Sequence, residues 1–246
     1  MQATVDKSSE KVRDMFAQIA PRYDLMNHLL SLNIDRWWRS YTVSTVPPKG
    51  GDPILDVCTG TGDLALAYHD AAKGEVKITG VDFCREMLDI ADQKKKEAKI
   101  GDQLTFHEGD ALNLQFPDDH FQIVSVAFGL RNVADTDRGL AELTRVCKPG
   151  GRVAVLEFSI PEWPPMSWMY SFYFHIVLPR VGQWFTSSPH DAYRYLPESV
   201  KEFPSGEALA ERMRAAGLEK VDLYPLTFGI ATLYVGQKKD PNPPAS

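Results

Sequence analysis

Two glycines one residue apart, Gly60 and Gly62, follow the apolar run Ile54-Leu55-Asp56-Val57. A strand that ends in a Gly-x-Gly turn lets the backbone approach a nucleotide-like ligand without a side-chain clash. Acids flank this turn, Asp56 before it and Asp63 after it. Asp82 ends the next apolar run about 20 residues on, where a ribose-binding acid belongs. Gly60-Thr61-Gly62-Asp63-Leu64-Ala65 also satisfies the dinucleotide pattern G-x-G-x-x-G/A, so an NAD-dependent dehydrogenase is one reading. A pyrophosphate, however, wants positive potential at a helix start. Asp63 there, with Asp56 nearby, suits a cationic ligand better, although Asp63 also reads as a helix cap. S-adenosylmethionine carries an ammonium and a sulfonium and no phosphate. The expected cofactor contacts are therefore Asp56, Gly60, Thr61, Gly62 and Asp82.

The elements that position these residues alternate. Strands are expected near 53–57, 76–82, 103–108, 121–127 and 151–158, with helices near 62–73, 84–98 and 137–146 between them. Such a series implies a parallel sheet with right-handed crossovers. Lys148-Pro149-Gly150-Gly151 stops the third helix and turns the chain into the next strand. Leu223–Thr227 and Ile230–Gln237, joined by Phe228-Gly229, read as a closing antiparallel hairpin. Residues 8–46 read as an N-terminal helical cap, 51–159 as the cofactor-binding core and 160–205 as a lid insertion. A helix and the hairpin occupy 206–239. Residues 1–239 form a single domain in this reading, and 240–246 a flexible tail.

Composition narrows the classes. A net charge of -6 argues against a nucleic-acid partner. Cys58, Cys84 and Cys147 stand far apart with no C-x-x-C, so no metal site or disulfide framework is expected. The cysteines fit a reducing cytoplasm. No signal peptide is visible and no apolar run reaches 18 residues, so no spanning helix is expected.

An N-terminal helical cap before the sheet and a hairpin after it resemble the class I S-adenosylmethionine-dependent methyltransferases. That resemblance implies a Rossmann-like α/β fold with a seven-stranded, mostly parallel sheet and an antiparallel C-terminal hairpin. Several strings match one branch, Tyr23-Asp24-Leu25-Met26-Asn27, Phe128-Gly129-Leu130-Arg131-Asn132, Leu156-Glu157-Phe158-Ser159 and Tyr193-Arg194-Tyr195-Leu196, the second and third of them specific to it. On these the chain resembles the ubiquinone and menaquinone biosynthesis C-methyltransferases, the demethylmenaquinone methyltransferases among them. Asp35 stands where that family commonly has histidine.

The resemblance implies methyl transfer to the ring of a prenylated quinol, demethylmenaquinol before a benzoquinol. Asp110 and Ala111, after the third strand, would hold the adenine. Ligands in open α/β sheets bind beyond the carboxyl ends of strands, so Arg131 and Asn132 are expected to face the substrate. Arg131 is a poor base because it stays protonated, and is expected to stabilise a phenolate while Asn132 and Tyr23 orient the ring. The blander alternative pairs Arg131 with the N-terminal helix. Rival activities are methylation of another lipophilic phenol, the dehydrogenase, and a non-catalytic scaffold.

Eleven aromatics fall between Trp163 and Phe203: those two with Trp168, Tyr170, Phe172, Tyr173, Phe174, Trp184, Phe185, Tyr193 and Tyr195. They are expected to form an aromatic-rich helical lid with a greasy channel for the tail. Weak peripheral contact with the inner face of the membrane goes with it. A homodimer or a quinone-biosynthesis complex is compatible with this reading.

Overall fold

A computed structural model describes residues 9–161, 163–172 and 192–241. Tyr173, Phe174, Trp184, Phe185 and His190 lie outside the described residues, as do the side chains of Phe172 and Tyr193.

One sheet runs through the chain. Its strands are β1 (Ile54–Val57), β2 (Ile78–Asp82), β3 (Leu104–Glu108), β4 (Phe121–Ala127), β5 (Cys147–Phe158), β6 (Leu218–Leu226) and β7 (Ala231–Lys238). They lie in the order β3-β2-β1-β4-β5-β7-β6. The first five pair in parallel, and β7 is antiparallel to both β5 and β6. All four β1 residues are buried, as a central parallel strand covered on both faces requires. The strand order reverses between β1 and β4, and that point opens a crevice at the strands' carboxyl ends.

Helices cover both faces. Leu64, Ala65 and Tyr68 of α4 (Asp63–Ala71) and Leu88 and Ala91 of α5 (Arg85–Glu97) pack on one. Leu140, Leu143 and Val146 of α6 (Thr136–Val146) pack on the other. Their spacing is that of one helix face. Asp135 caps α6 by accepting from the Arg138 N–H at 3.0 Å. Leu209, Ala210 and Met213 of a C-terminal helix, Glu207–Ala215, join the α6 face.

Two expectations shift. Lys148-Pro149-Gly150-Gly151 is carried inside β5 as a bulge: Cys147 pairs with Phe121 and the next partners are Arg152 and Ile123. The hairpin is longer and its turn earlier. β6 begins at Leu218, with its own irregularity between Glu219 and Asp222, and Thr227, Phe228 and Gly229 all have positive φ.

The cap is three helices, α1 (Ser9–Ile19), α2 (Tyr23–Leu30) and α3 (Ile34–Thr45), with Ala20–Arg22 as a 3₁₀ turn between the first two. Trp38 of α3 anchors it, buried against Phe128 and Phe158 and donating to the Thr227 hydroxyl at 2.8 Å. Two described segments of the lid are helical, α7 (Pro164–Phe172) and α8 (Ala192–Glu202).

Candidate active site

The glycine turn is built from below. The Asp56 carboxylate is buried and accepts from the Thr59 hydroxyl at 2.6 Å and the Ser125 hydroxyl at 2.7 Å. Burial pushes its pKa up to about 6. Gly60 and Gly62 take left-handed φ of +56° and +82°. A Cβ on Gly62 would come within 2.7 Å of the Phe106 ring, whereas one on Gly60 would meet nothing within 4 Å. Asp82 accepts from the Gly60 N–H at 2.8 Å and the Cys84 N–H at 3.0 Å. Burial raises its pKa to about 6 despite those bonds.

A cavity of about 150 Å³ lies above the turn, lined by Gly60, Asp82, Asp110, Ala111 and Asn132 with Val81, Phe83 and Met87 as apolar walls. Asp110 is fixed by accepting from the Leu112 N–H at 2.8 Å. Of the expected cofactor residues, Asp56 supports the turn from beneath and lines neither cavity. Thr61 points away, its hydroxyl donating to Asp24 at 2.6 Å and accepting from Lys94 at 3.1 Å.

Asp63 changes the argument made from it. Gly62 is the helix N-cap and no side chain caps there, so Asp63 does not cap α4. Its carboxylate pairs with Arg39 at 3.0 Å and Lys94 at 2.6 Å. The cations that answer it belong to the protein, so Asp63 is no evidence for a cationic ligand. Lys94 also pairs with Asp24 at 2.6 Å, and Arg39 with Asp35. Asp35 further accepts from Ser31 at 2.6 Å and meets His28 Nδ1 at 2.9 Å. His28, Asp35 and Asp63 cluster closely enough to suggest a metal site, but the Arg39 guanidinium already bridges the two acids.

A second cavity of about 440 Å³ lies between the cap, α7, α8 and the β6–β7 turn. Its walls are mainly apolar, with Met15, Ile19, Met26, Trp38 and Phe158 among them. Phe16, Tyr23 and Phe128 line both cavities and so mark their junction. Arg131 lines the larger cavity and Asn132 the smaller, so the two expected catalytic neighbours divide between them.

Arg131 does not pair with the N-terminal helix. It is buried and pairs with Glu157, itself 1% exposed at the end of β5. The Arg131 backbone N–H donates to Glu157 Oε1 and Nη1 donates to Oε2, each at 3.1 Å. Nη1 also donates to the Phe128 carbonyl, and the guanidinium carbon sits 5.3 Å from the Phe158 ring centre. Burial raises the pKa of Tyr23, so its hydroxyl stays a proton donor. Sequence reasoning gave Glu157, Lys94 and Asp24 no separate role. Glu157 and Asp24 lay inside quoted strings, whereas Lys94 sits in a Lys94-Lys95-Lys96 run that reads as a solvated face.

Residues 4–238 match the model of the ubiE/COQ5 methyltransferase family. The chain belongs to that family. It is 43% identical, over 95% of its length and 99% of the relative's, to the ubiquinone/menaquinone biosynthesis C-methyltransferase UbiE of Geobacter sp. strain M21. It is 46% identical to the demethylmenaquinone methyltransferase of Deinococcus radiodurans, over 94% and 93% of the two chains. A solved S-adenosylmethionine-dependent methyltransferase of Thermotoga maritima shares the fold with a TM-score of 0.63 at 20% identity, covering 93% of this chain and all of that one. This ubiE/COQ5 family member is a methyltransferase with the class I fold, and the dehydrogenase reading of its glycine turn falls.

Proposed function

We propose that the chain methylates a ring carbon of a prenylated quinol, demethylmenaquinol rather than a benzoquinol, with S-adenosylmethionine as donor. The observation that carries this is the junction. A crevice at the strand switch point, lined by the glycine turn and two strand-end acids, meets a larger apolar cavity at Tyr23 and Phe128, with a buried Arg131–Glu157 pair at its edge. The family and its quinone-methylating relatives support the substrate class.

The smaller cavity suits the donor. The space a Cβ on Gly60 would fill is open. Asp82 and Asp110 place acceptors at the ends of β2 and β3, fit for ribose hydroxyls and an adenine amine, and Phe83 and Met87 offer apolar faces for the base. When bound, S-adenosylmethionine supplies an activated methyl group, and its sulfur keeps the electron pair of the bond that breaks.

The protein's task is then alignment and charge. Loss of a ring hydroxyl proton makes the neighbouring carbon nucleophilic. The Arg131 guanidinium stabilises the phenolate. Tyr23 and Asn132 hold the ring across the junction; the hydroxyl proton and then the accepting carbon's proton pass to solvent as aromaticity returns, and the ring oxygen takes one back, so one proton is released per methyl transferred. Glu157 balances the guanidinium, because an unpaired buried charge would be costly.

The prenyl tail lies along the apolar larger cavity and leaves at its rim, which we place at the inner face of the membrane. Among the described residues no helix is long and apolar enough to cross one.

The test is an anaerobic assay with the protein, S-adenosylmethionine and chemically reduced demethylmenaquinone, read by mass spectrometry. Expected is a product heavier by one methyl group, with label from a methyl-labelled donor. Methylation of other lipophilic phenols with none of the quinol would overturn the substrate assignment.

A further inference from the structure

Among the described residues, six buried side-chain polar atoms have no hydrogen-bond partner. Three of them, Arg131 Nε, Asn132 Oδ1 and Tyr195 OH, belong to one place in the fold. Helix α8, which carries Tyr195, packs on the 3₁₀ turn that holds Arg131 and Asn132. Native proteins rarely leave buried polar groups unmet, and a cluster of them asks for an explanation. Arg131 and Tyr195 both line the larger cavity. Arg131 Nε–H can only donate and the Tyr195 hydroxyl can donate, so one acceptor held in this cavity would satisfy both.

We propose that Tyr195 is a further catalytic residue of this reaction, its hydroxyl joining the Arg131 guanidinium in receiving the ring oxygen on which negative charge develops. This rests on the quinol reading above. Tyr23, at the cavity junction, is already engaged by Asn27. Tyr195 is not engaged. Burial raises its pKa above the ordinary tyrosine value, the strongest influence on it, so it donates at neutral pH and does not compete for the ligand's charge. Two donors of different type, a fixed cation and a neutral hydroxyl, stabilise an oxyanion without requiring a base at the same spot.

The experiment compares the unmodified protein with Tyr195→Phe, which deletes one oxygen and keeps the ring. Expected is a fall in kcat of roughly 10²-fold, the scale for losing one such donor. Binding of S-adenosylhomocysteine should be unchanged. Melting temperature should hold or rise, because the lost hydroxyl has no partner to forfeit. A second readout needs no turnover. A 2-hydroxy-3-alkyl-1,4-naphthoquinone is coloured when ionised, so its pKa can be titrated on the protein. The unmodified protein should lower that pKa, and Tyr195→Phe should return it toward the free value.

A merely structural hydroxyl would lower the melting temperature when removed and leave the probe's titration alone. Tyr195→Phe with kcat and probe pKa both matching an active parent overturns this inference and leaves the quinol reading standing. A parent that neither methylates the quinol nor binds the probe overturns both.

Discussion

Asp82 accepts from two backbone N–H groups and faces the smaller cavity, so a ligand hydroxyl there exchanges with solvent for the lone pairs that remain. Its pKa of about 6, raised from 3.8 by burial, gives that exchange a pH dependence. As an acceptor for ribose hydroxyls the ionised form is the better one. Affinity for S-adenosylhomocysteine should therefore weaken as pH falls below about 6, by up to roughly tenfold per unit. Calorimetry between pH 5 and pH 8 checks this. Asp82→Asn should bind about 10- to 100-fold more weakly near neutrality and lose the slope near pH 6. An unaltered slope in that variant would remove Asp82 from the assignment. For folding the sign is the reverse of an ordinary salt-bridged acid. Asp56 and Asp82 both have folded pKa values above 3.8, so the folded chain takes up extra protons. Their contribution to stability is present below about pH 4 and lost as pH rises through about 6. The same residues show what a motif discloses. Gly60, Asp82, Asp110 and Ala111 were readable because strand ends and glycine turns are local features. Asp56 and Thr61 belong to the same string, yet one supports the turn from beneath and the other points to Asp24, since side-chain direction follows from backbone angles the string does not carry. Glu157 was in view without a role, because its partner Arg131 is 26 residues away.

The cap poses an access problem at the level of elements. Phe16 of α1 and Tyr23 of α2 wall the smaller cavity. At about 150 Å³ it lies below the roughly 300 Å³ at which ligand pockets usually begin, so the cap must move outward to admit a nucleoside. Lys94 of α5 restrains that movement by holding Asp24 of α2 and Asp63 of α4 together, with all three side chains about three-quarters buried. Lys94→Met keeps the stem and removes the ammonium. Amide exchange should then quicken in α1 and α2 while the β1–β4 ladders stay protected, and stability should fall by about 1 kcal/mol. Uniform exchange across cap and sheet would show that Lys94 does not latch the cap. The cap, the strands and the final hairpin were legible because hydrophobic period and Gly/Pro punctuation are local signals. The fate of Lys148-Pro149-Gly150-Gly151 was not. Proline and glycine announce a break, but only the pairing of Cys147 with Phe121 turns that break into a bulge within one strand.

On the scale of the whole molecule, the mouth of the larger cavity sets the protein's relation to its substrate. Leu32 and Phe228 line that cavity yet are 77% and 70% exposed. Trp163 packs beside Phe228, with ring centres 6.3 Å apart, and Trp168 on α7 is 73% exposed. Leu32, Phe228 and the neighbouring Trp163, exposed apolar side chains at the opening of an apolar cavity, match the proposed tail that stays partly in lipid. The net charge of -6 works against electrostatic attraction to anionic lipid, so the proposed contact rests on these apolar side chains. Flotation with phosphatidylglycerol-containing vesicles should therefore recover the protein weakly at low salt and better at high salt, as repulsion is screened. A Trp163→Ser/Phe228→Ser double variant should lose flotation, since burying those two rings is worth about 3–6 kcal/mol at most. It should also raise KM several-fold for a long-tailed quinol in vesicles while leaving KM for a tail-less quinol in solution unchanged. Equal effects on both substrates would show that the two aromatics act on the ring's binding and not through a membrane.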